Sequence, residues 1–332
     1  MGMTFSVGSG VADSVFGLCQ EPVRMFLESQ GELYEQSSPL KKLFLMDTDD
    51  HAMVALTGMT AFSGFQPVGE GGEYPRDETR QGYKKVIEHM TWKDGFVITR
   101  EAVEDGKLMD LKNRPNGFIK GYHRTREEFG ARMYAEAING KDKMVVGGKT
   151  FDLTCADGKK LFAKDHPSIL GKGNQSNIFA DKFSASTLGK LETRMQNFVG
   201  DNGNLLDVAP TTIVIPNDAA AKEAVFAAIG ADKDPATSNN AFNYQFGRWS
   251  VVCWAYLNRF LKSYTDFPWL LIDERYNQDV GGAVWFDRIP LAVRSELAHN
   301  DDNEWLGRSR WGAGFNDWRF AAAGGISGGD NL

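Results

Sequence analysis

The chain has 332 residues, 42% of them hydrophobic, and a formal charge of −7, which allows a sizeable core in one large or two ordinary domains. No apolar run approaches the ~18 residues that span a bilayer, and the start has neither a basic leader nor a continuous apolar segment, so membrane insertion and export are not expected. Lysine and arginine are scattered along the chain, which argues against sequence-specific nucleic-acid recognition.

Met1 to about Ala55 reads as an irregular arm, too thin for its own core, with one amphipathic piece from Glu21 to Glu28 and an apolar cluster from Leu40 to Met46. Leu56 to Tyr74 is small and Gly-rich and is expected to be a loop. A β-hairpin is expected next, with Tyr83 to Trp92 as one strand, a turn at Lys93-Asp94-Gly95, and Phe96 to Arg100 returning. Alternation puts Tyr83, Lys85, Ile87 and His89 on one face and Lys84, Val86, Glu88, Met90 and Trp92 on the other. Neither face is cleanly apolar. A hairpin of two strands is marginal alone in water, so this one should lie on its own domain or on a neighbouring subunit.

A short helical piece should end near Asn113-Arg114-Pro115, because the residue before proline disfavours the helical region. Phe118 to Asn139 then carries Phe118, Tyr122, Phe129, Met133 and Ala137 at helical spacing, with Gly140 as its stop. At ~1.5 Å per residue this is a spine of roughly 33 Å. Beyond Lys141 the pattern is mixed. Met144 to Val146 and Thr150 to Leu153 read as short strands, Thr187 to Phe198 as a helix, and Thr211 to Ile215 as a buried strand. Asn217 or Asp218 should cap a helix ending at Ile229-Gly230, and a polar loop covers 230–245. Trp249 to Tyr256 and Trp269 to Ile272 read as strands. Val284 to Phe286, Leu291 to Leu297 and Asp317 to Phe320 suggest a closing sheet, with a mobile tail from Gly324.

None of the chemical groupings reaches a catalytic, cofactor or metal site. Cys19, Cys155 and Cys253 are widely spaced and suit buried thiols in a reducing compartment. Gly325-Ile326-Ser327-Gly328-Gly329 matches a nucleophile elbow, but that motif needs a helix and downstream acid and histidine partners, only Asp330, Asn331 and Leu332 follow, and the stretch reads as a flexible tail. Met1-Gly2 with Ser6 fits a short myristoylation pattern shared by many unrelated starts. Asp47, Asp49, Asp50 and His51 lack calcium-loop spacing and read as a solvated turn. Gly69 to Glu73 lacks the lysine and hydroxyl of a phosphate loop and reads as a hinge. His51, His89, His123, His166 and His299 have no carboxylate or cysteine at a diagnostic interval. Arg294 to Glu304 reads as a charged loop leaving a strand.

The order arm, hairpin, long helix, α/β region and returning sheet resembles tailed-phage major capsid proteins of the Hong Kong 97 fold, closest to Mu-like prophage major head subunits. The strings that carry the resemblance are Gly95 to Asp105, Asp157 to Pro167, Leu206 to Pro216 and Arg308 to Arg319. It implies an α+β fold with an N-terminal arm over 1–55, an extended E-loop over 56–103, and a tail over 328–332. A peripheral domain would comprise 104–143 and 288–327, and an axial domain 144–287. It also implies a non-enzymatic subunit that assembles with itself through pentamers and hexamers into an icosahedral shell around double-stranded DNA, built in the host cytoplasm and found in the virion. Further partners would be a separate scaffolding protein, a portal and non-specifically held DNA, with no membrane and no cofactor. Lys84, Lys85, Ile87, Met90, Trp92, Phe96 and Ile98 would lie on the intersubunit E-loop, and Phe118, Tyr122, Phe129 and Met133 on the spine helix. Arg294, Glu296, His299, Asp301, Asp302 and Glu304 would form a loop at a symmetry axis, where charge complementarity sets register. Some members of the fold are cross-linked through lysine, and Lys84, Lys85 and Lys93 lie on the hairpin, but no asparagine and glutamate partners can be matched. The alternatives are a soluble α/β enzyme, supported by the Asn217-Asp218 cap after a buried strand, and a minor head or decoration protein.

Overall fold

The computed structural model describes residues 4–7, 14–59, 67–70, 73–74, 76, 81–105, 108–170, 173–230 and 243–326. The possible elbow at Ser327-Gly328-Gly329, the start at Met1-Gly2, most of the polar loop and the tail lie outside them. In chain order the elements begin with β1 (Thr4–Val7), α1 (Ser14–Ser37), α2 (Leu40–Leu43), β2 (Leu45–Thr48), β3 (Met53–Met59), β4 (Gln81–Glu88) and β5 (Met90–Ile98). There follow α3 (Arg100–Glu104), α4 (Leu108–Ile138), β6 (Lys143–Val146), β7 (Lys149–Asp152), β8 (Ile178–Phe179), α5 (Ala185–Gln196), β9 (Thr212–Pro216) and α6 (Ala219–Ile229). The chain closes with β10 (Ser250–Trp254), α7 (Ala255–Phe260), β11 (Trp269–Ile272), α8 (Glu274–Val280), β12 (Ala283–Leu297), β13 (Asn303–Phe315) and β14 (Ala321–Gly324).

Two five-stranded sheets organise the described residues. One runs β1-β12-β13-β5, with β2 also on β12, and the other β10-β9-β11-β14-β8. The long antiparallel pair β12–β13 is the backbone of the first sheet, from Ala283 opposite Phe315 to Leu297 opposite Asn303. Its register shifts around Asp287, Ile289 and Ala292, so β12 carries extra residues there, and Pro290 is tolerated because it sits in that irregularity. In the second sheet β9 is buried along its whole length and lies between β10 and β11, and Asp218 caps α6 by accepting from the Ala221 amide.

The spine helix crosses the first sheet at the register shift. Arg126 on α4 donates to both carboxylate oxygens of the fully buried Asp287, at 3.1 and 2.9 Å. The Trp285 indole N–H donates to the same carboxylate at 3.2 Å. Burial opposes a charge on Arg126, yet Tyr122 and Asp287 hold it protonated. Beside the pair, Trp92, Trp311 and Trp285 stack in sequence with centroids 4.4 and 4.6 Å apart. Phe129 of α4 meets Trp311 edge-on at 4.8 Å, the geometry an aromatic quadrupole favours.

Several expectations need correction. Lys93-Asp94-Gly95 is no turn: it lies inside β5, paired with 306–308 of β13. A Cβ on Gly95 would stand 3.0 Å from the Trp305 carbonyl oxygen, so this glycine serves close strand approach. The arm is not irregular, because α1 is a 24-residue helix whose Val23 and Leu27 pack with Ile119, Leu291 and Val293. Leu56 to Met59 belongs to a strand, β3, and not to a loop. Pro115 lies inside α4 rather than ending a helix. It is buried, and Arg114 donates to the Val97 carbonyl, so tertiary packing overrides the local preference. The spine therefore starts at Leu108. Asp317 to Phe320 is a turn leading to β14, and Gly324, expected in a mobile tail, is paired in the second sheet opposite Trp269. Segment 288–327 thus contributes to both sheets. Cys155 is buried as expected, but Cys253 is exposed.

Removing one member of a buried ion pair strands the other. Asp287→Ala should destabilise the dissociated subunit by ~3–5 kcal/mol in guanidinium unfolding, and Arg126→Met with Asp287→Leu should restore most of that loss.

Candidate assembly surface

β3 and β4 form a ribbon separate from both sheets, from Met53 opposite Glu88 to Met59 opposite Gln81. Alternation along β4 has a simple outcome. Lys85, Ile87 and His89 point into the body, and Lys84, Val86 and Glu88 point out. Lys85, only 5% exposed, is held by Asp152 Oδ2 and the Thr154 carbonyl, both at 2.7 Å. Burial works to raise the Asp152 pKa, but the bonds from Lys85 and Thr154 outweigh it and hold the carboxyl below its usual range. Ile87 packs on Val284 and Phe286, and His89 Nδ1 lies 3.1 Å from the Ala52 carbonyl. The ribbon can sit this close because β13 is bare beneath it. A Cβ on Gly312 would stand 2.4 Å from the Glu88 carbonyl oxygen.

The residues expected on one intersubunit hairpin are divided by the structure. Lys84 is exposed on the ribbon, whereas Lys85 and Ile87 anchor it inward. Met90, Trp92, Phe96 and Ile98 lie on β5, in the first sheet. Ile98 is fully buried, Trp92 is stacked on Trp311, and Phe96 packs against Phe118 and Trp305. These side chains are spent on their own subunit. On the spine, Phe118, Phe129 and Met133 are buried and Tyr122 partly so. A Cβ on Gly307 would meet the Phe118 ring at 2.3 Å, so a second β13 glycine lets the helix seat on the sheet.

Arg294 to Glu304 is not a loop but the end of the β12–β13 hairpin, with only 298–302 outside the strands. Arg294 and Glu296 form an ion pair on β12 at 3.1 Å, and Glu304 lies opposite Glu296 on β13. His299 and Asp301 are exposed at the tip, and Asp301 takes a positive φ of 60°. Asp302 accepts from the Arg100 amide at 3.2 Å and Asp301 lies 3.7 Å from the Arg100 guanidinium, tying the tip to α3.

Two histidines have surroundings the sequence did not reveal. His166 pairs with Asp157 at 2.7 Å and stacks on Trp318 at 4.2 Å, a spatial pairing that sequence spacing left open. The imidazole is completely buried, so the arrangement offers no access to a reactant. His123 lies between Tyr34 and Tyr122, with centroids 5.5 and 5.3 Å away. It lines a cleft under α1 with Glu28, Glu32, Glu35 and Arg126. Burial, helped by the neighbouring Arg126, lowers its pKa from 6.5 to about 4. His51 sits in the exposed acidic turn, 2.8 Å from Asp49. Among the described residues no group of three or more His, Cys, Asp or Glu side chains could hold a metal ion, and no helix is long and apolar enough to cross a membrane.

The family model for phage capsid proteins matches residues 82–324. The chain belongs to the phage capsid protein family. Its fold is α+β, and its function is that of a major capsid protein, a structural component of the virion shell. Similar solved structures include a chain from Mycobacterium phage Patience, with 10% identity, 99% of this chain and 93% of that one covered, and a TM-score of 0.48. A virus-like particle from Pyrococcus furiosus gives 9% identity, 92% and 98% coverage and a TM-score of 0.48. The procapsid of bacteriophage JBD30 gives 13% identity, 91% and 73% coverage and a TM-score of 0.47. The assignment rests on the family match. A search among curated proteins finds no match.

Two measurements on the capsid protein follow from this geometry. Gly312→Val should unseat the ribbon, lowering subunit stability by ~1–3 kcal/mol and exposing 53–88 to limited proteolysis. For His123, the folded state stays neutral while the unfolded chain takes up a proton below its ordinary value of 6.5. Its contribution is therefore complete above pH ~6.5 and declines as pH falls toward ~4, by up to about 3 kcal/mol. His123→Gln should flatten that part of the stability–pH curve in denaturant titrations.

Proposed function

We propose that this capsid protein assembles through pentamers and hexamers into an icosahedral shell around the double-stranded DNA of a tailed phage, as a subunit most akin to Mu-like head proteins. The match of the capsid family over 82–324 carries the reading. In it the β3–β4 ribbon is the extended E-loop, fixed to its own body by Lys85 and Ile87 and offering Lys84 and Val86 to an adjacent subunit. The first sheet with α1 and α4 forms most of the peripheral domain. The second sheet with α5 and α6 forms the axial domain. The β12–β13 tip, with Arg294, Glu296, His299, Asp301, Asp302 and Glu304, meets symmetry mates through its charges. Heterologous contacts of this kind close into rings, and many weak ones add avidity.

The subunit is structural and catalyses nothing in this reading. A separate scaffolding protein supports its assembly in the host cytoplasm, since α1 is committed to packing against its own body through Val23 and Leu27. A portal and packaged DNA, held without sequence preference, complete the partners.

Expression with and without a candidate scaffold, followed by sedimentation velocity and negative-stain microscopy, should yield shells, tubes or five- and six-fold rings. A monomer under every assembly condition would sink the proposal. Val86→Asp, at a side chain 44% exposed, should leave subunit stability within ~0.5 kcal/mol of wild type while reducing shell yield.

A further inference from the structure

The exposed face of α4 is cationic. Residues 111–126 hold five lysines and arginines among sixteen and no aspartate or glutamate, in a chain whose formal charge is −7. Asn113, Gly117, Lys120 and Arg124 lie three or four residues apart and are exposed, so they form one stripe, with the exposed Lys112 and Arg114 beside its start. Among the described residues no hydrogen bond or ion pair holds the side chain of Lys112, Lys120 or Arg124. Two features of the stripe work against the helix itself. Lys120 and Arg124 are like charges one turn apart, which repel, and glycine is unfavourable inside a helix. Packing within the subunit does not require those glycines: a Cβ on Gly117 or Gly121 would meet nothing within 4 Å, whereas on Gly130 it would stand 2.5 Å from Leu40.

We propose that this stripe of α4 is a seat for the phosphate backbone of duplex DNA, with Lys120 and Arg124 as its central contacts and Lys112 at its start. The inference rests on the shell reading and adds the surface that meets the enclosed DNA. Charge decides the class of ligand, because unpaired lysine and arginine with no acid in their row attract a polyanion. The shape of the face narrows it. From Lys112 to Arg124 the helix rises ~18 Å, a straight cationic line on which the two glycines leave the backbone bare. A polymer with regularly spaced phosphates can lie along it without striking a side chain between contacts. Acidic side chains bound the line on both sides, Glu28, Glu32 and Glu35 in the cleft beside His123, and Asp94 in the slot beside Gly121 and Thr125. At its end Glu128 is neutralised by Arg259 at 2.7 Å. A polyanion is therefore repelled from the flanks and confined to the stripe. Phosphate contacts carry no sequence information, which suits a shell that must hold a whole genome.

The test uses the full-chain subunit and fluorescent duplexes of about 30 base pairs in two unrelated sequences, followed by anisotropy between ~50 and ~200 mM salt. Both sequences should bind alike, with log Kd rising against log salt at a slope of about 2 to 3. Lys120→Gln with Arg124→Gln should weaken binding about tenfold at the lower salt and reduce the slope by about 2, with circular dichroism and shell formation unchanged. Lys182→Gln with Lys190→Gln removes the same charge from exposed sites at α5 and should leave affinity within about twofold. In the wild type, acetylation of Lys120, read by peptide mass spectrometry, should slow when duplex is added, and that of Lys190 should not. Unchanged affinity and slope in the α4 variant, or a Lys120 that reacts as fast with duplex as without it, would overturn the proposal and leave the capsid function standing. So would polyglutamate that displaces the duplex at equal charge concentration, since the stripe would then be a seat for an acidic polypeptide. Wild-type chain that binds duplex through the stripe but never assembles would keep the seat and sink the shell-assembly reading.

Discussion

The buried pair between Arg126 and Asp287 is where the two halves of the subunit's core are tied together. On one side of Asp287, Trp285 packs with Phe44, Phe129 and Trp311. On the other, Leu291 and Val293 pack with Val23, Leu27 and Phe118 under α1. The register of β12 shifts between these stretches. A shift alone would let the strand slide against β13, since one residue of slip exchanges its two faces. A bidentate arginine on a carboxylate that also accepts an indole N–H is satisfied in only one alignment. Desolvation offsets much of the Coulomb gain of such a pair, so its main effect is to select the register and the crossing point of the spine helix.

Around that fixed point the depth of packing differs from part to part. The second sheet has β9 and β11 buried along their whole lengths, and Asp273 secures β11 to α8 by accepting from the Tyr276 and Ala209 amides. The ribbon is attached more shallowly, through Lys85, Ile87 and the bare backbone of β13. A subunit that must enter five- and six-fold surroundings needs this division. A body with a single arrangement keeps interface residues in place, and elements with few anchors adjust to each neighbour.

Local sequence signals recovered much of the fold. The spacing of Phe118, Phe129 and Met133 located the buried face of the spine, the Asp218 cap and Gly230 bracketed α6, and alternation separated Lys85, Ile87 and His89 from Lys84, Val86 and Glu88 without telling which set faces inward. The failures share a cause, which is that the deciding partner lies far away in sequence. Asp94-Gly95 has the chemistry of a hairpin turn, yet β13, more than 200 residues on, claims it as strand. Pro115 reads as a helix stop until its burial is seen. β13 itself was hidden because Gly307, Gly312 and Gly314 look like loop residues, although Trp305, Ser309, Trp311, Ala313 and Phe315 alternate as a buried face should. Those glycines are bare because a helix and a ribbon press on the strand, a fact no local window contains. The tryptophan that stacks on His166 is likewise distant in sequence, although the carboxylate partner of that histidine, Asp157, is only nine residues away.

The proposed contact surfaces divide the work of assembly by their chemistry. Lys84 and Glu88 flank Val86 on the outer face of β4, and charges crowd the β12–β13 tip. Charge at an interface contributes chiefly to orientation and partner choice, and salt weakens it. Val86 between Lys84 and Glu88 is apolar and 44% exposed, so its contribution is area removed from water, which salt does not weaken and cooling does. Shells held mainly by the first kind of contact would loosen as ionic strength rises, and shells held by the second would loosen in the cold. A subunit bearing both has one set of contacts that chooses the neighbour and another that retains it.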